Sequence, residues 1–234
     1  DEAVEAGRDE LNLIGGEVTI LPYFLEVLRY AGENFNQVSI NTNGRRFCDM
    51  VFARSCAEAG LTNVDVSLHG STAEIHDRVS GIPGAFEQTV TGLRNLRALS
   101  TEPDFPRLQI SITTLVLDWS YNALPAMTSF VADLGIPSWR LKYAYGALGP
   151  RSHFSDNSYM ARYSDAMPFL RKTLNAAEHL CKDLPRPNLI FHDIPICIAD
   201  ELLDFTTVFE RHNVALYGKT DTDQDAAIRV VDRW

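Results

Sequence analysis

Two hydrophobic periodicities alternate along the chain, and the alternation predicts its architecture. A short apolar run, 11–14, ends in Gly15-Gly16. Apolar residues then recur at helical spacing, Phe24, Val27, Leu28 and Ala31, with Pro22 suited to the first turn. Residues 37–42 read as a strand closed by Asn43-Gly44, 49–59 as a helix with Gly60 as its C-cap, and 63–68 as a strand. A loop rich in Gly and Pro (Gly81, Pro83, Gly84) leads to a helix carrying Phe86, Val90, Leu93 and Leu96. Strand 108–115 follows, then a helix marked by Leu124, Met127, Val131 and Leu134 that Gly135 can end, then strand 139–143. The longest apolar stripe, Tyr163, Met167, Leu170, Leu174, Ala177 and Cys181, predicts a helix that Asp156 can cap, ahead of a last strand at 189–192. Strands separated by helices are βα units of a parallel sheet, since parallel neighbours need crossovers.

Parity within the strands narrows the choice. Val38, Ile40 and Thr42 alternate with Ser39, Asn41 and Asn43; Val64, Val66 and Leu68 alternate with Asp65, Ser67 and His69. Leu108, Ile110 and Ile112 alternate with Gln109, Ser111 and Thr113, and Trp139, Leu141 and Tyr143 with Arg140 and Lys142. A doubly wound sheet is covered by helices on both faces, so its strands are apolar throughout. One apolar and one polar face fit a barrel whose outside packs on helices and whose interior is wet. A closed eight-stranded barrel fills its interior with branched apolar side chains, so a polar lumen predicts an incomplete one. An antiparallel sheet with one solvated face alternates in the same way and stands as the other reading.

Composition narrows the partners. The 234 residues carry 21 Lys and Arg against 31 Asp and Glu, a formal charge of −10, which disfavours a nucleic-acid partner. No stretch approaches the roughly 20 apolar residues that span a bilayer. Four cysteines make no disulfide framework, and a cytoplasmic, reducing setting is expected.

In a barrel of βα units the chemistry sits where strands end. Those ends here are Gly15-Gly16-Glu17, Asn41-Thr42-Asn43-Gly44, Ser67-Leu68-His69-Gly70, Thr113-Thr114 and Lys142. Paired glycines let backbone approach a ligand, and the adjoining carboxylate can accept from an ammonium. Each residue also has an ordinary use: Asn43-Gly44 is turn chemistry, Arg78 suits an exposed helix end, and Cys197 suits a buried thiol.

The stretches LIGGEVTILPYFLEVLRYA, VSINTNG and LTNVDVSLHGSTAEIHDRVSGIPGAFEQTVTGLRNL resemble, in order and spacing, the radical S-adenosylmethionine (radical SAM) enzymes, over about residues 1–145 and more loosely beyond. The resemblance implies a partial (β/α)6 barrel spanning 1–199 and the start of a C-terminal extension at 200–234. It implies two cofactors, SAM and a [4Fe–4S] cluster. Gly15, Gly16 and Glu17 match the GGE motif that holds the SAM amino group, with Val18 in place of the usual proline. Asn41, Asn43 and Ser67 match strand ends that contact SAM or lie against it, and Arg78 matches an arginine that pairs with the SAM carboxylate. His69, Thr113, Arg140 and Lys142 are lumen candidates for adenosine or substrate.

The family's CxxxCxxC cluster motif is not formed by Cys48, Cys56, Cys181 or Cys197, no two of which lie within four positions. The resemblance places that motif in a βα unit ahead of Asp1, so these 234 residues by themselves are expected to take up no cluster and cleave no SAM. The implied activity is reductive cleavage of SAM to a 5′-deoxyadenosyl radical that abstracts hydrogen from a substrate, a peptide or small molecule, with a flavodoxin or ferredoxin as reductant. Two other readings remain: a clusterless barrel that binds a peptide or protein partner, and a barrel lyase using Lys142 as an amine nucleophile.

Overall fold

The computed structural model describes residues 2–5, 7–143, 159–180, 188–192, 194 and 202. Within them six strands lie side by side in chain order: β1 (Glu10–Leu13), β2 (Gln37–Thr42), β3 (Asn63–Ser67), β4 (Gln109–Val116), β5 (Ser138–Tyr143) and β6 (Asn188–His192). Every neighbouring pair is parallel, which removes the antiparallel reading. The helices are α1 (Glu2–Glu5), α2 (Phe24–Asn34), α3 (Met50–Glu58), α4 (Ala73–Ser80), α5 (Ala85–Leu99), α6 (Leu124–Asp133) and α7 (Tyr163–His179).

Strand order decides between the two parallel architectures. A doubly wound sheet reverses direction at a switch point and so carries helices on both faces. Here each crossover steps to the next strand in the same sense, and crossovers of one hand leave all helices on one side. Burial follows: Val38, Ile40, Val64, Val66, Ile110, Ile112, Trp139, Leu141 and Phe191 are buried, while the intervening residues are partly or fully exposed. The register makes these faces into layers, with Ile40 beside Val64, Val64 beside Ile110, and Ile112 beside Trp139 on the covered side. Asn41 beside Asp65 and Asp65 beside Ser111 form the matching polar layer. The result is a (β/α)6 partial barrel, with β1 and β6 as the ends of the sheet.

The helix stripes pack on that covered face. Leu28 and Ala31 of α2, Leu93 and Leu96 of α5, and Leu170 and Ala177 of α7 are fully buried in one continuous core. Each large aliphatic side chain buried this way contributes roughly 1.5–3 kcal/mol. Thr114 is satisfied within the covered face: it donates to the Leu68 carbonyl (2.6 Å) and accepts from Trp139 Nε1 (2.9 Å).

Three expectations differ in detail. Residues 73–80, read as loop, form α4, because Gly81 (φ +69°) closes the helix and Asp77 then accepts from the Gly84 and Phe86 amides (2.7 and 2.8 Å), linking α4 to α5. Pro22 lies just before α2, whose first residue is Phe24, and Val27 is 37% exposed instead of joining the buried stripe. The α7 N-cap is Arg162; Asp156, Cys181 and Cys197 lie outside the described residues, as does 203–234.

Two glycines seat the turn after β2 on α5. Gly44 (φ +76°) adopts a left-handed conformation, and a side chain at Gly92 would collide with its carbonyl oxygen. Gly92→Ala is therefore expected to destabilise the protein by about 1–3 kcal/mol in denaturant unfolding. A change within about 0.3 kcal/mol would contradict this packing.

Candidate functional site

Parallel strands deliver all their C-terminal ends to one rim, and at this rim Glu17 joins the first two. Its side chain caps the short turn Val18–Ile20. Oε1 accepts from the Thr19 amide (3.2 Å), the Thr19 hydroxyl (2.7 Å) and the Thr42 hydroxyl (2.8 Å); Oε2 accepts from the Asn43 amide (2.7 Å). The chain thus supplies four donors to one carboxylate, and Val18 in place of proline leaves it anchored. Just before it, Gly15 (φ +153°) and Gly16 are exposed and face open space, with no atom near where a side chain would stand.

The β2 end is held from several sides. Asn43 Oδ1 accepts from the Arg45 amide (2.9 Å), Thr89 donates to the Asn43 carbonyl (2.9 Å), and Thr42 accepts from the Gly44 amide (3.1 Å). Beyond β3, His76 Nδ1 accepts from the His69 amide (3.1 Å) and His69 Nδ1 from the Leu115 amide (3.3 Å). The two rings stack with centroids 5.7 Å apart. With each Nδ1 accepting, the neutral tautomers carry their protons on Nε2. Burial, and then the neighbouring His76, hold His69 down to about 3. Burial also lowers His76; Asp77 opposes this, Arg45 adds to it, and Glu87 opposes it.

These strand ends enclose a pocket of about 450 Å³ lined by Gly15, Gly16, Glu17, Asn41, Asn43 and Ser67, together with Thr42, Arg45, His69, His76, Ser80 and Ile82. Six of the seven residues expected to hold SAM therefore share one cavity. Arg78 lies elsewhere: it is exposed on α4, with its guanidinium over the Trp119 ring at 4.1 Å. The α4 residues that line the pocket are His76 and Ser80, the latter two positions on, and the cation that lines it is Arg45. His69, expected over the lumen, lines the rim pocket instead.

The lumen holds a second cavity of about 770 Å³, lined by Asn41, Asp65, Thr113, Arg140, Lys142 and His192 among others. Asp65 is its hub. It accepts from Asn41 Nδ2 (3.2 Å), Ser111 Oγ (3.0 Å) and Thr113 Oγ1 (3.0 and 2.9 Å to its two oxygens), and it pairs with Arg140 Nη1 (3.4 Å). Arg140 also donates to Ser111 Oγ (2.7 Å). Asn41 lines both cavities.

The pocket suits the amino-acid end of SAM: Oε2 of Glu17 has one hydrogen-bond partner and a carboxylate oxygen accepts two, which leaves room for a ligand ammonium. A [4Fe–4S] cluster is not matched by the described residues. Among them no group of three or more His, Cys, Asp or Glu is placed to hold a metal. Cys48 is exposed and Cys56 buried, and burial pushes the Cys56 thiol up to about 12, away from the thiolate a cluster needs. Among the described residues no helix is long and apolar enough to cross a membrane.

Sequence reading missed Thr19, Thr42, Arg45, His76, Ser80 and Asp65 as site residues. Thr42 had a legible signal, since it sits inside the quoted NTNG segment. Asp65 was legible as a polar-face position of β3, whereas Thr19 and Arg45 depend on which way a loop turns and His76 and Ser80 on how α4 is seated.

The family model described as Radical SAM superfamily matches residues 1–123. The AdoMet-dependent heme synthase of Methanosarcina barkeri is 37% identical over 113 residues, 48% of this chain and 31% of that protein. The mycofactocin maturase MftC of Mycobacterium ulcerans is 41% identical over 88 residues, 38% of this chain and 23% of that protein. Among solved structures, Streptococcus suis SuiB bound to S-adenosylmethionine superposes with a TM-score of 0.60 at 13% identity, over 87% of this chain and 43% of that one. SuiB bound to the precursor peptide SuiA superposes with a TM-score of 0.55 at 11% identity, over 81% of this chain and 39% of that one. The chain spans less than a third of the length of these curated relatives and less than half of SuiB.

The imidazole pair gives a pH signature. The unfolded chain takes up protons near the ordinary histidine value of 6.5, whereas in the folded chain His69 takes one up only at about 3 and His76 at a lowered value. Stability is therefore full above about pH 7 and falls as pH drops through 6 toward 4. In thermal melts between pH 7.5 and 5, the fall is expected to be shallower in a His69→Asn, His76→Asn double variant than in the unchanged protein. Equal slopes would show that the folded imidazoles titrate normally.

Proposed function

The chain belongs to the radical SAM superfamily, and on that premise we propose that its rim pocket binds the methionine end of SAM and its lumen receives the substrate of a radical SAM enzyme. When bound and reductively cleaved, SAM supplies a 5′-deoxyadenosyl radical that abstracts hydrogen from a substrate. The described residues offer no three-thiolate ligand set for a cluster; what they contribute is binding, orientation and shelter from water.

The observation that carries this reading is the Glu17 carboxylate, fixed by four donors beside two open glycines. A charge held in place before the ligand arrives spends no ordering entropy on binding. Oε2 accepts the ligand ammonium, and the Gly15-Gly16 backbone lies along the methionine. Asn41, Asn43 and Ser67 border the rest of the ligand, and the Nε2–H of His69 is a donor for it. Thr113, Arg140 and Lys142 face the substrate below. We favour a peptide substrate: SuiB, a barrel of the same fold, takes a precursor peptide. The lumen's hydroxyls and amides suit backbone groups. A flavodoxin or ferredoxin as electron donor and a cytoplasmic setting belong to the same proposal.

Glu17→Gln removes the charge but keeps the side chain's size and its Oε1 acceptor, whereas Glu17→Ala removes both. In calorimetric titrations of the full-length protein, both are expected to weaken SAM binding by about tenfold or more, and the Gln variant, whose NH2 cannot accept from the Asn43 amide, is expected to melt below the unchanged protein but above the Ala variant. Unchanged affinity in the Gln variant would remove Glu17 from the SAM site.

A further inference from the structure

We infer that the peptide entering the lumen brings a carboxylate with it, gripped by the outer edge of the Arg140 guanidinium with Lys142 beside it; this rests on the lumen reading above and names the chemistry of the substrate group. The chain as a whole carries a formal charge of −10, yet its lumen has the opposite balance. Among the described residues that line the lumen, Asp65 is the one carboxylate, against two permanently positive side chains, Arg140 and Lys142. Both cations stand on β5, and His192 of β6 lies in register with Lys142, so the basic groups share one wall of the cavity.

Arg140 does not stay over its own strand. Its guanidinium crosses β4, where Nη1 donates to Ser111 Oγ (2.7 Å), and reaches Asp65 of β3 at 3.4 Å. Two strands from its backbone, the charge therefore lies over the middle of the concave face. These contacts occupy Nη1 alone. Nε and Nη2 form no hydrogen bond or ion pair with the described residues, which leaves three N–H donors along one edge of the planar fork. That edge matches the two oxygens of a carboxylate.

Asp65 aims this group without consuming it. Its two oxygens also accept from Asn41, Ser111 and Thr113, so its charge is shared among neutral donors as well as Arg140. The Arg140 side chain is 34% exposed, open enough for a ligand to reach and sheltered enough to be screened less than a surface charge. A guanidinium held before the ligand arrives also loses less side-chain freedom on binding. Lys142 supplies the second positive charge that offsets Asp65 when an anion enters. A neutral peptide would find hydroxyls and amides in the lumen but would leave the open guanidinium edge unused.

Three tripeptide probes test this by saturation-transfer NMR with the full-length protein: acetyl-Gly-Glu-Gly-amide, acetyl-Gly-Gln-Gly-amide, and acetyl-Gly-Gly-Gly with a free C-terminus. At least one carboxylated probe is expected to bind about fivefold or more tightly than the Gln probe, and which one does so tells a side-chain carboxylate from a chain end. In Arg140→Gln the preference is expected to fall below about twofold while the Gln probe binds as before. Arg140→Lys, with the charge but not the fork, is expected to keep part of the preference, and Lys142→Gln to reduce it by a smaller factor. Equal binding of all three probes, or a preference undiminished in Arg140→Gln, would overturn the carboxylate grip and leave the lumen as the place of the peptide. If Arg140→Gln does not fold, Arg140→Lys decides: a preference cut by half or more supports the grip and an undiminished one overturns it. Failure of every probe to bind the unchanged protein at millimolar concentration would overturn the peptide reading of the lumen, and the grip with it.

Discussion

The Glu17 carboxylate is the constraint on which the site depends. It lies in the loop after β1, yet half of its hydrogen bonds come from the end of β2. Backbone pairing of these neighbouring strands ends at Leu13 and Ile40, and the carboxylate continues the tie beyond it. A carboxylate held by neutral donors joins them without an opposing charge. The tie is reinforced by Arg46, which donates to the Thr19 carbonyl, and by Thr89, which holds Asn43 from α5. Structural and ligand-facing roles thus fall on one side chain.

A second, partly buried carboxylate organises the lumen by different means. Asp65 collects donors from β2, β4 and β5, so strands that pair only with their neighbours along the sheet are also joined across its concave face. Asn41, bonded to Asp65 and lining both cavities, marks where rim pocket and lumen meet. In the proposed function the cofactor sits above this junction and the substrate below it. The short path between them is a consequence of strand parity, since every second residue of β2 points inward.

Much of the architecture was legible from pattern alone, for a physical reason. One-sided helix cover forces strict alternation in each strand, and that alternation is visible in residues such as Ile110, Ser111, Ile112 and Thr113 without any structure. Of the strand-end glycines, Gly15 (φ +153°) and Gly44 (φ +76°) were legible because their conformations admit little else. What pattern could not show was direction. Arg78 and Ser80 are two positions apart on α4, and only the seating of that helix, set by Gly81 and the Asp77 capping bonds, decides which of them faces the pocket. Helix α4 itself was hidden because it has few apolar residues and buries only His76 fully. Thr19 and Thr42 were overlooked because a threonine's importance here lies in its hydroxyl geometry. His69 passed for a lumen residue because strand parity was extended past Ser67, where β3 ends.

A crystal structure of the full-length protein with SAM bound tests the central claim most directly. The account places the ligand ammonium within hydrogen-bonding distance of Glu17 and its methionine chain along Gly15-Gly16. SAM bound away from the ends of β1, β2 and β3, or bound there with Glu17 turned from the ligand, would contradict it.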